Sequence, residues 1–317
     1  MSLINIITEN MVQTLIMASK VKQWILYVVF VSMSLGCEHD IIDVEDLKQP
    51  KGIVGIDRYM DFPDVGSHSS RQGCAYFENT LFVFHNTNDI VEVYDLKKKT
   101  LISVLDMSLF DLSHTEYHCN NANFSANKYN VSDSFPLLYV SMENINQRKI
   151  LVLRINLKGN KYKFEHIQTI QLPNSNDLNL FYPNSYLDTK DDAIWVSGYS
   201  INNFNASPNN KLVYIKFNLP KLEGEKEVVL GAKDIIQKSE FDSFSSTQGG
   251  QLNNGFLYQV FGISPPLYLK ILDLEHSIVC YSCAISDYNQ AEPEGLFFVN
   301  NHIYYSTESN IYEIRFE

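Results

Sequence analysis

The chain has 317 residues, 45% of them hydrophobic and 13% aromatic, enough to bury a large core in one or two domains. Only 20% are charged and the formal net charge is -12, so the basic footprint that a nucleic-acid partner requires is missing. No nucleic-acid role is expected, and the run Lys97-Lys98-Lys99 reads as a solvated hairpin tip.

Residues 1–37 are expected to stand outside the fold. Lys20 and Lys22 precede an apolar run from Trp24 to Leu35, too short for a membrane-spanning helix and of signal-peptide length; Met17, just ahead, is an alternative start. The run ends Ser34-Leu35-Gly36-Cys37, which resembles the lipobox of bacterial lipoproteins. That resemblance implies that Cys37 is acylated, becomes the new N-terminus and anchors the chain by lipid to a membrane of the cell envelope, periplasmic or surface-exposed; simple secretion or a retained anchor is the alternative. Residues 38–51 are acidic from Glu38 to Asp46, show no hydrophobic period and read as a flexible tether.

The domain is expected over 52–317 and to be all-β. Ile53 to Met60 alternates like a single strand with no hairpin partner nearby. From Arg71 onward the same outline recurs: a polar residue and often a glycine, a strand, a tight turn, a second strand, a loop, and a third strand ending in Asp or Asn and Leu. Those endings are Asp95-Leu96, Asn156-Leu157, Asn218-Leu219 and Asp273-Leu274. The opening residues are Gln72-Gly73, His118 to Ala122, Tyr182-Pro183-Asn184, Gln248-Gly249 and Glu292 to Gly295. Repeats of a short antiparallel sheet predict propeller blades. The first repeat shows four strands, the third places its outer strand at Val228 to Leu230, and the fifth lacks one strand. Ile53 to Met60 supplies it, because a ring of blades is closed by pairing the N-terminal strand with the C-terminal sheet. The expectation is a five-bladed β-propeller. Six blades are the alternative, if residues 229–244 hide a further sheet; Asp234-Ile235-Ile236 reads as a short helix or rim loop.

Four cysteines follow Cys37. An offset of three sends Cys280 and Cys283 to opposite faces of a strand, which argues against a shared metal. Buried free thiols are expected, with a Cys74–Cys119 disulfide as the alternative in an oxidising compartment.

The leading ends of a propeller's innermost strands line the mouth of its central channel. Here they carry Gln72, Asn120 or Asn121, Asn184, Gln248 and Glu294, a ring of amides with one carboxylate. Such residues either bind a ligand or tie neighbouring blades together. Amides exchange hydrogen bonds with hydroxyls, and aromatic faces stack on sugar rings; Tyr117, His118, Tyr182 and Tyr199 fall near the mouth. Catalysis has less support: Glu294 is a lone mouth carboxylate with Glu292, Glu116, Asp188 and Glu143 as partners to be placed, and no nucleophile elbow, phosphate loop or zinc motif is present. Glu294 with Asn184 and Asn121 offers hard oxygen ligands to calcium.

The Gln-Gly starts combined with Glu292-Pro293-Glu294-Gly295-Leu296 resemble a motif of bacterial extracytoplasmic β-propellers, the TolB-like and gluconolactonase-like groups. In the gluconolactonase-like group the matching acidic residue binds a divalent ion, which implies Glu294 as a metal position. The reading is a lipid-anchored, extracytoplasmic propeller binding a small molecule or glycan at the channel mouth through Gln72, His118, Asn121, Tyr182, Asn184, Gln248 and Glu294. A metal-assisted hydrolase or lactonase centred on Glu294 is the enzymatic alternative. A scaffold that meets a partner protein through loops Ser125 to Ser134 and Ser200 to Asn210 is the third.

Overall fold

A computed structural model describes residues 52–63, 70–86, 90–107, 118–143, 148–159, 161–172, 178, 180–203 and 209–317. All belong to the compact unit Val44–Glu317. The signal segment, Cys37, the tether, Glu116 and Tyr117 lie outside the described residues, as does the side chain of Glu143.

Among the described residues, twenty-one strands form five sheets. Strand β1 (Ile53–Asp61) comes first. Blade 1 is β2 (Arg71–Phe77), β3 (Thr80–His85), β4 (Ile90–Asp95) and β5 (Thr100–Asp106). Blade 2 is β6 (Cys119–Phe124), β7 (Leu138–Glu143), β8 (Arg148–Lys158) and β9 (Lys161–Gln171). Blade 3 is β10 (Phe181–Asp188), β11 (Ala193–Tyr199), β12 (Lys211–Asn218) and, after the short strand β13 (Glu227–Val229), β14 (Ile235–Asp242). Blade 4 is β15 (Thr247–Asn253), β16 (Phe256–Phe261), β17 (Tyr268–Asp273) and β18 (Ile278–Ala284). Blade 5 is β19 (Gly295–Val299), β20 (His302–Ser306) and β21 (Asn310–Phe316), completed by β1 in antiparallel register from Ile53 against Phe316 to Asp61 against Asn310. The chain is a five-bladed β-propeller closed by its N-terminal strand.

Third-blade expectations need correction. Val228 and Val229 belong to β13, which pairs in parallel with β9 and widens blade 2, not blade 3. The outer strand of blade 3 is β14, which starts at Ile235 directly after a 3-10 turn, Ala232–Asp234. That turn ends where Asp234 accepts a hydrogen bond from the Gly231 N–H, so the helix-like local signal covers three residues only.

Each blade is buried on both faces, and the core is therefore divided among the five seams. In β3, Phe82 and Phe84 pack towards blade 2 with Phe135, Leu138 and Phe164, while Leu81 and Val83 pack towards blade 5 with Phe297 and Tyr304. The remaining seams hold Leu187, Val196 and Val152; Trp195, Tyr214 and Phe261; and Tyr258, Ile303 and Tyr305. Two-sided burial explains the continuous apolar runs of the inner strands, whereas the outer strand β5 alternates and exposes Ile102 and Val104. Hairpins at the lower end turn through residues with positive φ, such as Glu78 and Asn79 (44° and 68°) and Asn254 and Gly255 (50° and 84°), the handedness that two-residue hairpins need.

All four cysteines of the described residues are free thiols. Cys74 receives a hydrogen bond from the Ser306 hydroxyl, and Cys119 donates to Met142 Sδ at 3.5 Å, so the two point to different partners and form no disulfide. Burial pushes both thiols up to about 12, too high to ionise at neutral pH. The opposite-face expectation for Cys280 and Cys283 also fails. The register of β18 shifts between Val279 and Tyr281, and the extra residue at this bulge brings both cysteines against the same core cluster, that of blades 4 and 5.

Candidate functional site

The innermost strands β2, β6, β10, β15 and β19 meet at their leading ends. Four of them carry a register shift there: between Arg71 and Cys74, Cys119 and Asn121, Phe181 and Asn184, and Thr247 and Gly250. The bulges lift Gln72, Asn120 and Gln248 out of their ladders, and in β10 Tyr182 and Pro183, while Asn184 stays paired with Ser197. Glycine is required by close approach at two of them. A Cβ on Gly73 would sit 2.7 Å from the carbonyl oxygen of Cys119, and one on Gly249 would sit 2.6 Å from that of Glu294. The Gln-Gly motif thus joins a bulge to a strand-on-strand contact.

Within the ring, Asn121 is fully engaged. Its amide nitrogen donates to Asn123 Oδ1 at 3.1 Å and to the Ser185 carbonyl at 2.7 Å, and its oxygen accepts from the Gly250 N–H at 3.2 Å. Asn123 donates in turn to the Gly250 carbonyl. These two amides tie β6, β10 and β15 together across the centre, and Asn120 donates to the Thr247 carbonyl at 3.4 Å. Their observed work is to hold the ring.

Other mouth residues have polar atoms that the fold leaves unpaired. Glu294 is 4% exposed; its N–H donates to the Ser306 carbonyl and its own carbonyl accepts from Gly249, but Oε2 has no hydrogen-bond partner. Burial, then the charges of Glu292 and Glu308, push its carboxyl up to about 9, so it is protonated at neutral pH. Glu292 is raised as well, chiefly by burial, against a hydrogen bond of 2.6 Å from Gln248 Nε2. Gln72 Oε1 and Asn184 Nδ2 are likewise buried without partners, although Asn184 Oδ1 accepts from the Ser185 N–H.

Aromatic residues flank the rim. Tyr182 is half-buried in the bulge of β10 at φ 54°, a conformation that a bulky side chain rarely adopts, with its ring edge-on to Tyr199 at 6.5 Å. Tyr199 itself donates to the Ser245 carbonyl and accepts from the Thr247 N–H. His118 is half-buried ahead of β6, and burial lowers its imidazole below the ordinary value. Asp188 is not at the mouth: it ends β10 and lies 3.2 Å from Lys216 Nζ. No group of three acidic, histidine or cysteine side chains among the described residues is arranged to hold a metal ion.

One constellation went unread in the sequence. Arg71, the first residue of β2, is 3% exposed and grips Glu92 through Nε at 2.7 Å and Nη2 at 3.1 Å. The Tyr94 hydroxyl donates to the same carboxylate at 2.6 Å, and His85 Nε2 lies 3.4 Å from it. Arg71 also donates to the carbonyls of Glu308 and Pro63 and lies over the Phe62 ring, 4.7 Å from its centroid. A single guanidinium therefore clamps blade 1, the β20–β21 turn and the chain leaving β1. The signal available was Glu92 alone, one acid inside Ile90-Val91-Glu92-Val93-Tyr94.

No family model matches the chain, and no curated protein matches it in sequence. Solved structures resemble it at low identity. The glutaminyl cyclase of Myxococcus xanthus shares 10% identity over 85% of this chain and 99% of its own, with a TM-score of 0.46. A streptogramin B lyase shares 11% over 83% and 97%, with a TM-score of 0.39, and a luciferin-regenerating enzyme 11% over 81% and 73%, with a TM-score of 0.41. Likeness at this level carries no activity across; the propeller assignment rests on the chain's own strand topology.

Proposed function

We propose that this propeller binds a neutral, hydroxyl-rich small molecule, a carbohydrate in the first instance, at the mouth formed by Gln72, Asn184, Gln248 and Glu294. The observation that carries the proposal is the buried Glu294 carboxyl with its unpaired Oε2. A buried polar atom without a partner is costly, and a ligand hydroxyl relieves that cost. The set is mixed: Gln72 Oε1 accepts, Asn184 Nδ2 donates, and a protonated Glu294 does either, which suits hydroxyl groups. Tyr182 and His118 supply the rim. Anchoring through Cys37 in the cell envelope belongs to the same proposal and is supported by the sequence of residues 20–37 alone.

A thermal-shift screen of the purified chain against neutral saccharides, sugar lactones, and calcium versus EDTA tests it. A ligand at 100 times its dissociation constant adds about 2.7 kcal/mol of stability, which moves the midpoint by several degrees. The expected result is a saccharide shift in the wild type that Glu294→Ala loses and that the neutral isostere Glu294→Gln largely keeps. A midpoint lowered by EDTA and restored by calcium would replace this reading with the metal-assisted hydrolase. A flat screen would sink both in favour of the protein-partner scaffold.

A further inference from the structure

Three acids of blade 5 are graded from solvent into the mouth: Glu308 is exposed, Glu292 half-buried and Glu294 buried. The charges that act on Glu294 are those of the other two, both negative, and Oε2 is left without a partner. Blade 1 shows what the missing group does. There the Arg71 guanidinium grips Glu92 through two N–H groups and holds a fully buried carboxyl ionised. Blade 5 has the buried glutamate without the cation.

Glu294 stands between two other strand starts. The Gly249 N–H of β15 donates to its carbonyl, and Gly295, next in the chain, lies against Cys74 of β2. Its neighbours across these contacts are therefore Gln248 and Gln72. Gln248 is committed to Glu292, to which its Nε2 donates at 2.6 Å, and Gln72 offers the unpaired acceptor Oε1. Asn184 Nδ2, buried and unpaired, is a donor and suits a hydroxyl oxygen. Calcium takes six to eight oxygens, and no three acidic, histidine or cysteine side chains of the described residues are arranged to hold it. An ammonium asks less: it carries one charge and three N–H donors, and accepts nothing.

We propose that the ligand of this mouth carries a primary amine beside its hydroxyls, as an amino sugar does, and that the amine binds as an ammonium against Glu294 and Glu292. The proposal rests on the mouth being the ligand site and adds the group that meets blade 5. With a free amine, the Glu294 O–H bond breaks as an N–H bond forms, and the ammonium–carboxylate pair has the same net charge as the acid and amine apart. A ligand that arrives as the ammonium instead sends the Glu294 proton to water. The formal charge of -12 on the chain favours the approach of such a cation.

The test is isothermal titration calorimetry of the full-length chain at pH 7 with D-glucosamine, D-glucose and N-acetyl-D-glucosamine, each in phosphate and in Tris, buffers of small and large heat of ionisation. Glucosamine is expected to bind about ten-fold tighter than the two uncharged sugars, the margin of a charged hydrogen bond over a neutral one. It is also expected to release about one proton per site, read from the heat difference between buffers. Glu294→Gln should bind glucosamine no better than glucose and release no proton. Equal binding of the three sugars by the wild type, or a glucosamine preference without proton release, overturns the amine and leaves the hydroxyl-binding mouth standing. Binding of none of them takes both readings down. These outcomes are read in the wild type whether or not the glutamine variant folds.

Discussion

Glu92 and Glu294 are both buried glutamates on adjoining blades, at 0% and 4% exposure, and they are driven in opposite directions. Burial pushes Glu92 up, but the nearby His85 imidazole, hydrogen bonds from Arg71 and Tyr94 and the Arg71 charge outweigh it and bring the carboxyl down to about 2. Burial pushes Glu294 up too, and its neighbours Glu292 and Glu308 push the same way, to about 9. Depth is therefore not what separates them. The fold supplies Glu92 with a cation and donors and leaves Glu294 with an empty oxygen, which marks the first as a closure lock and the second as a place for something else.

Breaking the lock should have the largest effect. Glu92→Ala leaves the Arg71 guanidinium buried without its carboxylate, and removing one partner of a buried pair costs about 3–5 kcal/mol. Because Arg71 also holds the Glu308 and Pro63 carbonyls, the loss should appear at the seam between blades 5 and 1. Hydrogen exchange is expected to show faster opening of β1 and β21 than of blade 3. Protection lost evenly round the ring would show that Arg71 does not act as the closure lock.

Stability against pH separates the two acids by sign. Glu92 titrates at about 2 when folded against an ordinary 4.5, so its contribution is present above pH 4.5 and is lost as pH falls through about 2. Glu294 runs the other way. Between 4.5 and about 9 the unfolded chain binds fewer protons at this residue than the folded one, so stability falls as pH rises. The slope is about 1.4 kcal/mol per pH unit for one proton. Urea midpoints of Glu294→Gln against wild type should show that slope removed between pH 5 and about 9, with the acid limb unchanged. A wild-type curve flat across the same range would mean that Glu294 is already ionised, and its protonated role at the mouth would fall with it.

Much of this architecture was legible in advance because it is repeated. The recurring Asp-Leu and Asn-Leu endings mark four of the five blades, and the orphan strand Ile53 to Met60 finds its place by subtraction from the short fifth repeat. What escaped was set by neighbours distant in the chain. Nothing local distinguishes Glu227–Val229 as an addition to blade 2, because the strand it joins lies some sixty residues earlier. The bulge that turns Cys280 and Cys283 to one core is a register event between β17 and β18, invisible to a period of two. Glu92 gives no local sign of its burial, because what holds it is Arg71, twenty-one residues upstream. The mouth was read more fully: its polar residues were named, but which were already committed to the ring was not. Asn121 and Gln72 look alike in sequence and differ in that Asn121 uses every polar atom while Gln72 leaves Oε1 unpaired.

That pair gives the smallest and most discriminating effect. If Gln72 spends nothing on the fold, Gln72→Ala should change stability by no more than about 0.5 kcal/mol, the range of substitutions that break no named interaction, while the saccharide shift falls with it. Asn121→Ala should do the reverse in size, because it strands the Gly250 N–H and removes the bond to the Ser185 carbonyl, each buried group costing about 1–3 kcal/mol. Calorimetric unfolding of the two variants, with and without the best saccharide of the screen, separates fold from site. A Gln72→Ala loss as large as that of Asn121→Ala would make both residues struts and leave Glu294 alone at the mouth.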